Sequence, residues 1–421
     1  IVMSFRAKSR KLLMNPRSLD FARDDKNVFV IKLINAAKES KPIMNLEDHD
    51  FIIVGAGFFG AVLAERIAND LNKNVLILEK RDHIGGNCHS QIHAETGIEY
   101  HTYGTHIFHT SNLKVWEYIN RFTSFNSYRH QVLTTHKDKV YQMPINLETI
   151  NSFYEVNLKP FEVDAFLDQE RKKEYYEEPT NFEEQAINMV GRPLYEAFLK
   201  GYTIKQWDRD PTDIPASVVK RLPFRKNYAE SYFFDTWQGI PTDGYTRIFE
   251  KMLDSERIEV LLNTDFFDVK DQIKPGTPII YSGEIDRLFD YKYGSLEYRT
   301  LRFEQEVVEV DDYQGTSVMN YADLDIPFTR IHEPKHLHTE RHAPGENKTL
   351  IIREYSTEAD KNEPYYPVGG AKNRALYQQY QEELSKHPDL IVGGRLGAYR
   401  YYDMHHVIEA ALELYEGKIK P

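Results

Sequence analysis

The chain reads as an α/β protein: a Rossmann-like dinucleotide-binding domain built on parallel strands, with an inserted helical domain and an antiparallel β-sheet domain. Three observations predict this. An apolar run, Phe51-Ile52-Ile53-Val54, leads through Gly55-Ala56-Gly57-Phe58-Phe59-Gly60 into a helical pattern. A second apolar run, Val75-Leu76-Ile77-Leu78, ends in the acid Glu79. Further on, a long helical stretch gives way to segments alternating apolar and polar residues.

The first element is a buried parallel strand, since such strands are covered on both faces and need no polar side. Gly55 permits the tight turn, Gly57 lets a pyrophosphate approach the backbone, and Gly60 lets helix and strand pack closely. The helix beginning at Ala61 offers free N–H groups and a partial positive charge to that phosphate. Glu79 lies 19 residues beyond Gly60, where a ribose-binding acid is expected. Glu79-Lys80-Arg81 then runs into the pair Gly85-Gly86 and Asn87. That extension resembles the FAD fingerprint of the amine-oxidase-like flavoproteins, which implies FAD rather than a nicotinamide cofactor.

Composition narrows the classes. The formal charge of −12 argues against a mainly nucleic-acid partner. Tyr (28) and Phe (23) supply many rings, most of them expected in the core. Cys88 is the single cysteine, so no intramolecular disulfide forms and a reducing compartment is compatible. Beside the cofactor loop, Cys88 reads as packing. No run approaches the roughly 20 apolar residues that span a membrane. Residues 1–43 hold ten Lys or Arg against four Asp or Glu. They read as an appended or upstream-translated extension, with Met44 a natural start and Asn27–Ile34 a short ordered element.

The stretch 97–110 carries His101, His106 and His109 with Tyr100 and Tyr103. Their spacing fits no usual zinc pattern, so a loop against the cofactor is expected and no metal. Ser111 is expected to cap the next helix. Residues 128–142 read as strands, and 147–205 as helices, with a capping pattern from Thr180 and a restart at Gly191-Arg192-Pro193. Between Gly201 and Tyr232, prolines break the pattern while Trp207, Arg209, Lys220, Arg221 and Arg225 gather. Such a loop suits a mobile lid over an anionic ligand. Val260–Leu262 and Pro278–Gly283 read as return strands of the nucleotide domain. Residues 301–310, 317–321 and 349–355 alternate as an antiparallel sheet. Leu390–Arg395 is a strand into a Gly-Gly turn, and Asp403 stands at the N-cap of the last helix, another N-terminus facing the cofactor.

Taken together, these motifs resemble the bacterial UDP-galactopyranose mutases over residues 48 to 418. They include Tyr103–Thr110, Lys200–Trp207, Lys220-Arg221-Leu222-Pro223, Leu296-Glu297-Tyr298-Arg299, Pro327-Phe328-Thr329-Arg330-Ile331, Glu363–Pro367 and Gly393 through His405. The resemblance implies an isomerase that interconverts UDP-galactopyranose and UDP-galactofuranose. In it, N5 of reduced FAD adds to the anomeric carbon and displaces UDP, so no side chain is the nucleophile. It would supply galactofuranose for cell-wall and surface glycans.

Residue by residue, the resemblance assigns catalysis to His106, Arg221 and Arg330. FAD contacts fall to Gly55, Gly57, Phe59, Gly60, Glu79, Lys80, Arg81, Gly86, Asn87, Thr105, His106, Arg395, Asp403 and Met404. Arg221, Arg299 and Arg330 would hold the diphosphate with Tyr232, Tyr366 and Tyr401. Phe198, Tyr202, Thr203 and Trp207 would hold the uridine, with His130, Asn320 and Asp403 also at the substrate.

The expected domains are a basic extension (1–43) and a discontinuous FAD-binding domain (48–124, 240–295, 365–421). A helical substrate domain with a mobile lid (146–225) and the sheet domain (125–145, 226–239, 296–364) complete them. A cytoplasmic homodimer is expected, with UDP-galactose as the partner molecule.

Two positions depart from the family. Relatives commonly carry Tyr where Phe328 stands, and many carry Asn at His130. The sugar is therefore open between galactose, N-acetylgalactosamine on UDP, and fucose on dTDP. Two other classes compete. An FAD-dependent amine oxidase or desaturase would need an apolar substrate tunnel, which the arginines and tyrosines do not suit. A non-catalytic nucleotide-binding protein would bind FAD and UDP without turnover.

Overall fold

The computed structural model describes residues 33–35, 48–341, 347–358 and 364–421; the side chains of 33–35, 220, 221 and 358 fall outside it. Most of the basic extension therefore lies outside the described residues. Within it, Leu33–Asn35 forms an edge strand beside Ile258–Leu262.

That strand completes a six-stranded parallel sheet in the order Leu33–Asn35, Ile258–Leu262, Val75–Leu78, Phe51–Val54, Ile279–Tyr281 and Leu390–Val392. Both predicted return strands are in it. One face packs on the helix Phe58–Asp70, in which Phe58 through Glu65 are all buried. Small residues at Gly60, Ala61, Ala64 and Ala68 let this helix lie close to the sheet. A Cβ at Gly60 would fall 2.1 Å from the Gly55 carbonyl oxygen, so only glycine allows the approach. The helices Tyr245–Met252 and Met404–Leu414 pack against the same core. The opposite face carries a thinner layer of Ile52, Leu76, Leu78 and Leu261 under Phe266 and Val269.

A second sheet has seven strands: Tyr366–Pro367, Tyr298–Val308, Thr349–Glu358, Arg330–His332, Val318–Tyr321, Val132–His136 and Lys139–Met143. The alternating segments read from sequence are here, but the sheet is not purely antiparallel. Val318–Tyr321 runs parallel to Val132–His136. Trp237–Gly239 joins neither sheet and pairs with Phe108–Thr110. The hydrophobic alternation that marks a strand says which face is buried and nothing about its neighbour's direction.

The helical segment contains Leu147–Tyr154, Val163–Arg171 and Phe182–Val190, then a continuous run from Arg192 to Trp207 with a π-helical turn at Tyr195–Lys200. Its core includes Leu147, Leu167, Ile187, Leu194 and Tyr195. Two caps sit one residue later than expected. Asn112, not Ser111, accepts from the N–H groups of Lys114 and Val115. Asn181 caps the helix after Thr180, whose hydroxyl bonds Glu184 instead. Asn and Ser are equivalent caps on propensity, so the chain entry direction decides.

The segment expected as a lid is anchored at two points. Val219 is fully buried in the helical core. Arg225, read from sequence as one of the cations of that loop, is 6% exposed, donates to the Ala229 carbonyl at 2.8 Å and covers the Phe234 ring.

Lys205 joins the helical segment to the second sheet. Its ammonium donates to the carbonyls of Tyr321 (2.6 Å), Asp323 (2.9 Å), Ile326 (3.0 Å) and Phe328 (3.0 Å). Gly201 allows this docking, because a Cβ there would fall 2.3 Å from the Ala322 carbonyl. Leaving a buried acceptor unmade costs about 1–3 kcal/mol. Lys205→Met is therefore expected to lower stability by about 2–6 kcal/mol in urea unfolding, two of the four acceptors regaining water. An unchanged midpoint would show that solvent replaces the ammonium entirely.

Candidate active site

The site has two ends. At the first, the glycine turn after Phe51–Val54 faces a cleft enclosing about 1180 Å3, part of it open to solvent. Gly55 has φ +101°, and a Cβ there would meet Ser282 Oγ at 2.3 Å. Gly57 is the glycine that opens to the cleft: its Cβ would meet only Gly86 Cα, at 3.8 Å. Gly86, with φ +54°, faces it from the Gly-Gly turn. Two backbones bare of side chains thus frame one space at a helix N-terminus, which fits a pyrophosphate. Phe59 seats its ring under Gly393, where any Cβ would collide with it.

Glu79 is 5% exposed and lines this end. Its carboxylate accepts from Ala56 N–H at 2.8 Å and from Arg81 N–H at 2.9 Å. It holds the turn in place, and each oxygen keeps a second lone-pair direction for a ribose hydroxyl. Arg81 donates to Asn87 Oδ1 at 3.0 Å and lies over Tyr103. Lys80 is exposed at the rim. Cys88 sits beside Arg395, and burial pushes its thiol up to about 12, so it stays neutral.

The cleft continues past His106, Arg395 and Met404. Gly60, Thr105 and Asp403 stand behind its wall: Gly60 under the turn, Asp403 capping the last helix, and Thr105 in a polar chain. His106 Nδ1 lies 2.6 Å from the Gly104 carbonyl, so that nitrogen carries the proton and Nε2 is the acceptor. Burial, then the Arg395 charge, holds His106 down to about 4, which makes it neutral at pH 7.

The second end is a polar chain through the seven-stranded sheet. Thr105 Oγ1 lies 2.8 Å from His332 Nδ1, and His332 Nε2 lies 3.0 Å from Glu354 Oε2. Glu354 Oε1 lies 3.2 Å from Arg330 Nε, and Arg330 donates onward to the Tyr202 hydroxyl. An ionised carboxylate only accepts, so His332 donates from Nε2 and, when neutral, accepts from Thr105. Burial alone would raise Glu354, but the Arg330 guanidinium and then His332 outweigh it and hold the carboxyl down to about 2.

Around Arg330 gather most of the residues assigned to the substrate. Asn320 and Arg330 are register partners on adjacent strands, as are Arg299 and Tyr366. Tyr366 stacks on Tyr401 at 5.4 Å, with Arg395 over both rings. Burial and then Tyr401 raise the Tyr366 hydroxyl above its usual value, keeping it a neutral donor. Tyr232 lies beside His130 at 5.6 Å between rings. Burial, then Arg330, holds His130 down to about 3. Arg299 is buried and donates to Ser356 Oγ at 3.2 Å.

Other assigned residues lie apart from this cluster. Phe198 is 2% exposed, and its ring packs edge-on against Tyr141 (5.0 Å) and Phe153 (5.4 Å) in the helical core. Thr203 is buried, and Trp207 packs against the same core. Arg221 ends the short helix Ala216–Arg221, and its side chain lies outside the described residues. Phe328 packs on Tyr321 (4.8 Å) and Tyr355 (6.1 Å). His332, Glu354 and Lys205 were not singled out from sequence. The signal for the first two was a polar residue at an inward position of a strand, as in Arg330-Ile331-His332.

A family profile for UDP-galactopyranose mutase matches residues 197–401, and one for an NAD(P)-binding Rossmann-like domain matches 53–122. The chain is 39% identical to the dTDP-fucopyranose mutase of Escherichia coli over 381 residues, covering 88% of this chain and 98% of that protein. It is 40% identical to the probable UDP-galactopyranose mutase of Klebsiella pneumoniae over 371 residues, covering 87% and 94%. The fold is similar to a crystal structure of reduced UDP-galactopyranose mutase, with a TM-score of 0.67 at 15% identity, covering 89% and 96%.

The Glu354 carboxyl is lowered from 4.5 to about 2, so its stabilisation is complete above about pH 4.5 and lost as pH falls toward 2. Glu354→Gln is expected to flatten the dependence of stability on pH across that window. At pH 7 it should cost about 1–3 kcal/mol. Urea unfolding at stepped pH values checks both, and a variant with the wild-type acid limb would remove Glu354 from this role.

Proposed function

The chain belongs to the UDP-galactopyranose mutase family, and on that premise we propose that it interconverts UDP-galactopyranose and UDP-galactofuranose. It is an isomerase with a Rossmann-like nucleotide-binding sheet. The cofactor we assign is FAD in its reduced form, which supplies the nucleophile for the anomeric carbon. The two glycine turns, Glu79 and the continuation of the cleft to His106 and Arg395 support a long flavin dinucleotide.

The observation that carries this reading is the gathering of Arg330, Tyr202, Asn320, Tyr366 and Tyr401 beyond the inner end of that cleft. Arg330 and Arg299, with Arg221 by motif, bind the diphosphate. Arg330 stabilises charge that develops on the departing phosphate oxygen. Glu354 fixes that guanidinium, and His332 fixes Glu354. Tyr232, Tyr366 and Tyr401 donate their hydroxyls to the phosphate oxygens. Tyr202, Thr203 and Trp207 hold the nucleoside, with Phe198 shaping the helix behind them. Neutral His106, protonated at Nδ1, accepts a hydrogen bond at Nε2 while the sugar ring opens and recloses. We assign the loop between Gly201 and Tyr232, apart from its anchors at Val219 and Arg225, as the lid and a cytoplasmic homodimer as the working form. The lone cysteine suits that compartment.

A second reading is favoured by one observation: identity to the dTDP-fucopyranose mutase nearly equals that to the galactose enzyme. The two substrates differ in the pyrimidine, the ribose and the sugar's sixth carbon. Chromatography of UDP-galactofuranose incubated with and without dithionite tests the main reading. Conversion to the pyranose only with reductant is expected. No conversion, beside turnover of dTDP-fucofuranose, would transfer the assignment. Arg330→Ala is expected to lose 100-fold or more in turnover with FAD still bound. Near-wild-type turnover would remove Arg330 from the reaction.

A further inference from the structure

Beside the cleft and the polar chain lies a cluster whose two histidines neither of them uses. His109, Asp403 and His405 each present a ligand-capable atom, and the three atoms lie within 4.8 Å of one another. From sequence, the histidines of 97–110 matched no zinc spacing. The fold supplies the missing partners from nearly 300 residues further on, at the start of the helix Met404–Leu414.

His109 is prepared as a ligand. It is 7% exposed, in the strand Phe108–Thr110, and its ring is stacked on Phe233 at 3.7 Å and 12°. Its Nδ1 lies 2.7 Å from Asp235 Oδ2, and Ser111 donates to the other oxygen of Asp235 at 3.1 Å. A carboxylate that takes one ring N–H, and is itself hydrogen-bonded, is the usual support of a metal-bound imidazole. It leaves Nε2 of His109 as the coordinating atom, with no hydrogen bond to that nitrogen among the described residues. The His405 ring stands 4.8 Å away at 69°. Its Nε2 meets His406 Nε2 at 3.2 Å, while its Nδ1 is buried without a partner among the described residues.

We propose that His109, Asp403 and His405 bind a divalent transition-metal ion of the zinc type, oriented through Asp235. Two imidazoles and one carboxylate with an open fourth position suit zinc, and exclude magnesium as the preferred ion. Tetrahedral bonds of about 2.0–2.1 Å set ligand atoms roughly 3.3 Å apart. The partly exposed Asp403 and His405 can close that gap by small side-chain rotations. A second group, Asp312, Glu333 and His336, is already an ion-pair network with Lys335 and serves as the control.

Asp403 also caps the helix at the cofactor cleft, so the test reads metal content rather than turnover. Full-length flavoprotein is dialysed against micromolar Zn2+, and bound metal is measured per chain, with Mg2+ in parallel. One retained Zn2+ and no Mg2+ are expected. His405→Gln should abolish retention, Asp235→Asn should weaken it about 10–100-fold, and His336→Gln should leave it unchanged. Unfolding midpoints establish that each variant is folded. A wild type that retains no Zn2+, or a His405→Gln variant that retains as much, overturns the proposal. Loss in His336→Gln alone moves the ion to the control cluster and overturns it equally.

Discussion

The nucleotide end of the molecule depends on one buried carboxylate. Glu79 binds the N–H of Ala56 inside the glycine turn and the N–H of Arg81 beyond the second strand. Those two contacts lock the loop after one strand to the loop after its neighbour. The glycines then act within a frame that is already fixed. Gly55 and Gly60 allow backbone to touch backbone, and Gly57 keeps a face open. A side chain too short to reach would leave the buried Ala56 N–H without its acceptor, at a cost of about 1–3 kcal/mol, and free the part-buried Arg81 N–H as well.

At the other end, charge is balanced in the same way but inside the second sheet. Arg330 is partly desolvated, and a desolvated guanidinium needs a counter-charge. Glu354 provides it from the neighbouring strand. His332 and Thr105 extend the chain to the loop that carries His106. Arg330 and the loop that carries His106 are therefore tied through a single row of hydrogen bonds and one ion pair. Lys205 ties the same sheet to the helix carrying Tyr202 and Trp207 through four carbonyls.

The near-equal likeness to galactose and fucose mutases fits this architecture. The row from Thr105 to Tyr202 would meet a diphosphate and an anomeric carbon, which both nucleotide sugars possess. Buried, neutral His130 beside Arg330 already shares its Nδ1 with Tyr128 at 3.0 Å, which leaves Nε2 as its other polar atom.

Much was legible in the chain itself because it concerned short-range chemistry. The apolar runs at 51–54 and 75–78, the glycine spacing, the acid at 79 and the strand alternation at 301–310 and 349–355 all follow from local periodicity and backbone sterics. Motif likeness then selected Arg299, Arg330, Tyr366 and Tyr401, which the fold gathers at adjacent strands or stacked rings. What needed the tertiary structure was every property set by a distant neighbour. The direction of Val318–Tyr321 against Val132–His136, the pairing of 237–239 with 108–110, and the burial of Arg225 were not encoded locally. Glu354 reads as an ordinary strand residue until Arg330 and His332 are set beside it, and His109 reads as a stray histidine until Asp235, Asp403 and His405 arrive. Backbone preference is written in neighbouring residues, whereas charge compensation and coordination are written in distances between strands, and only folding creates those distances.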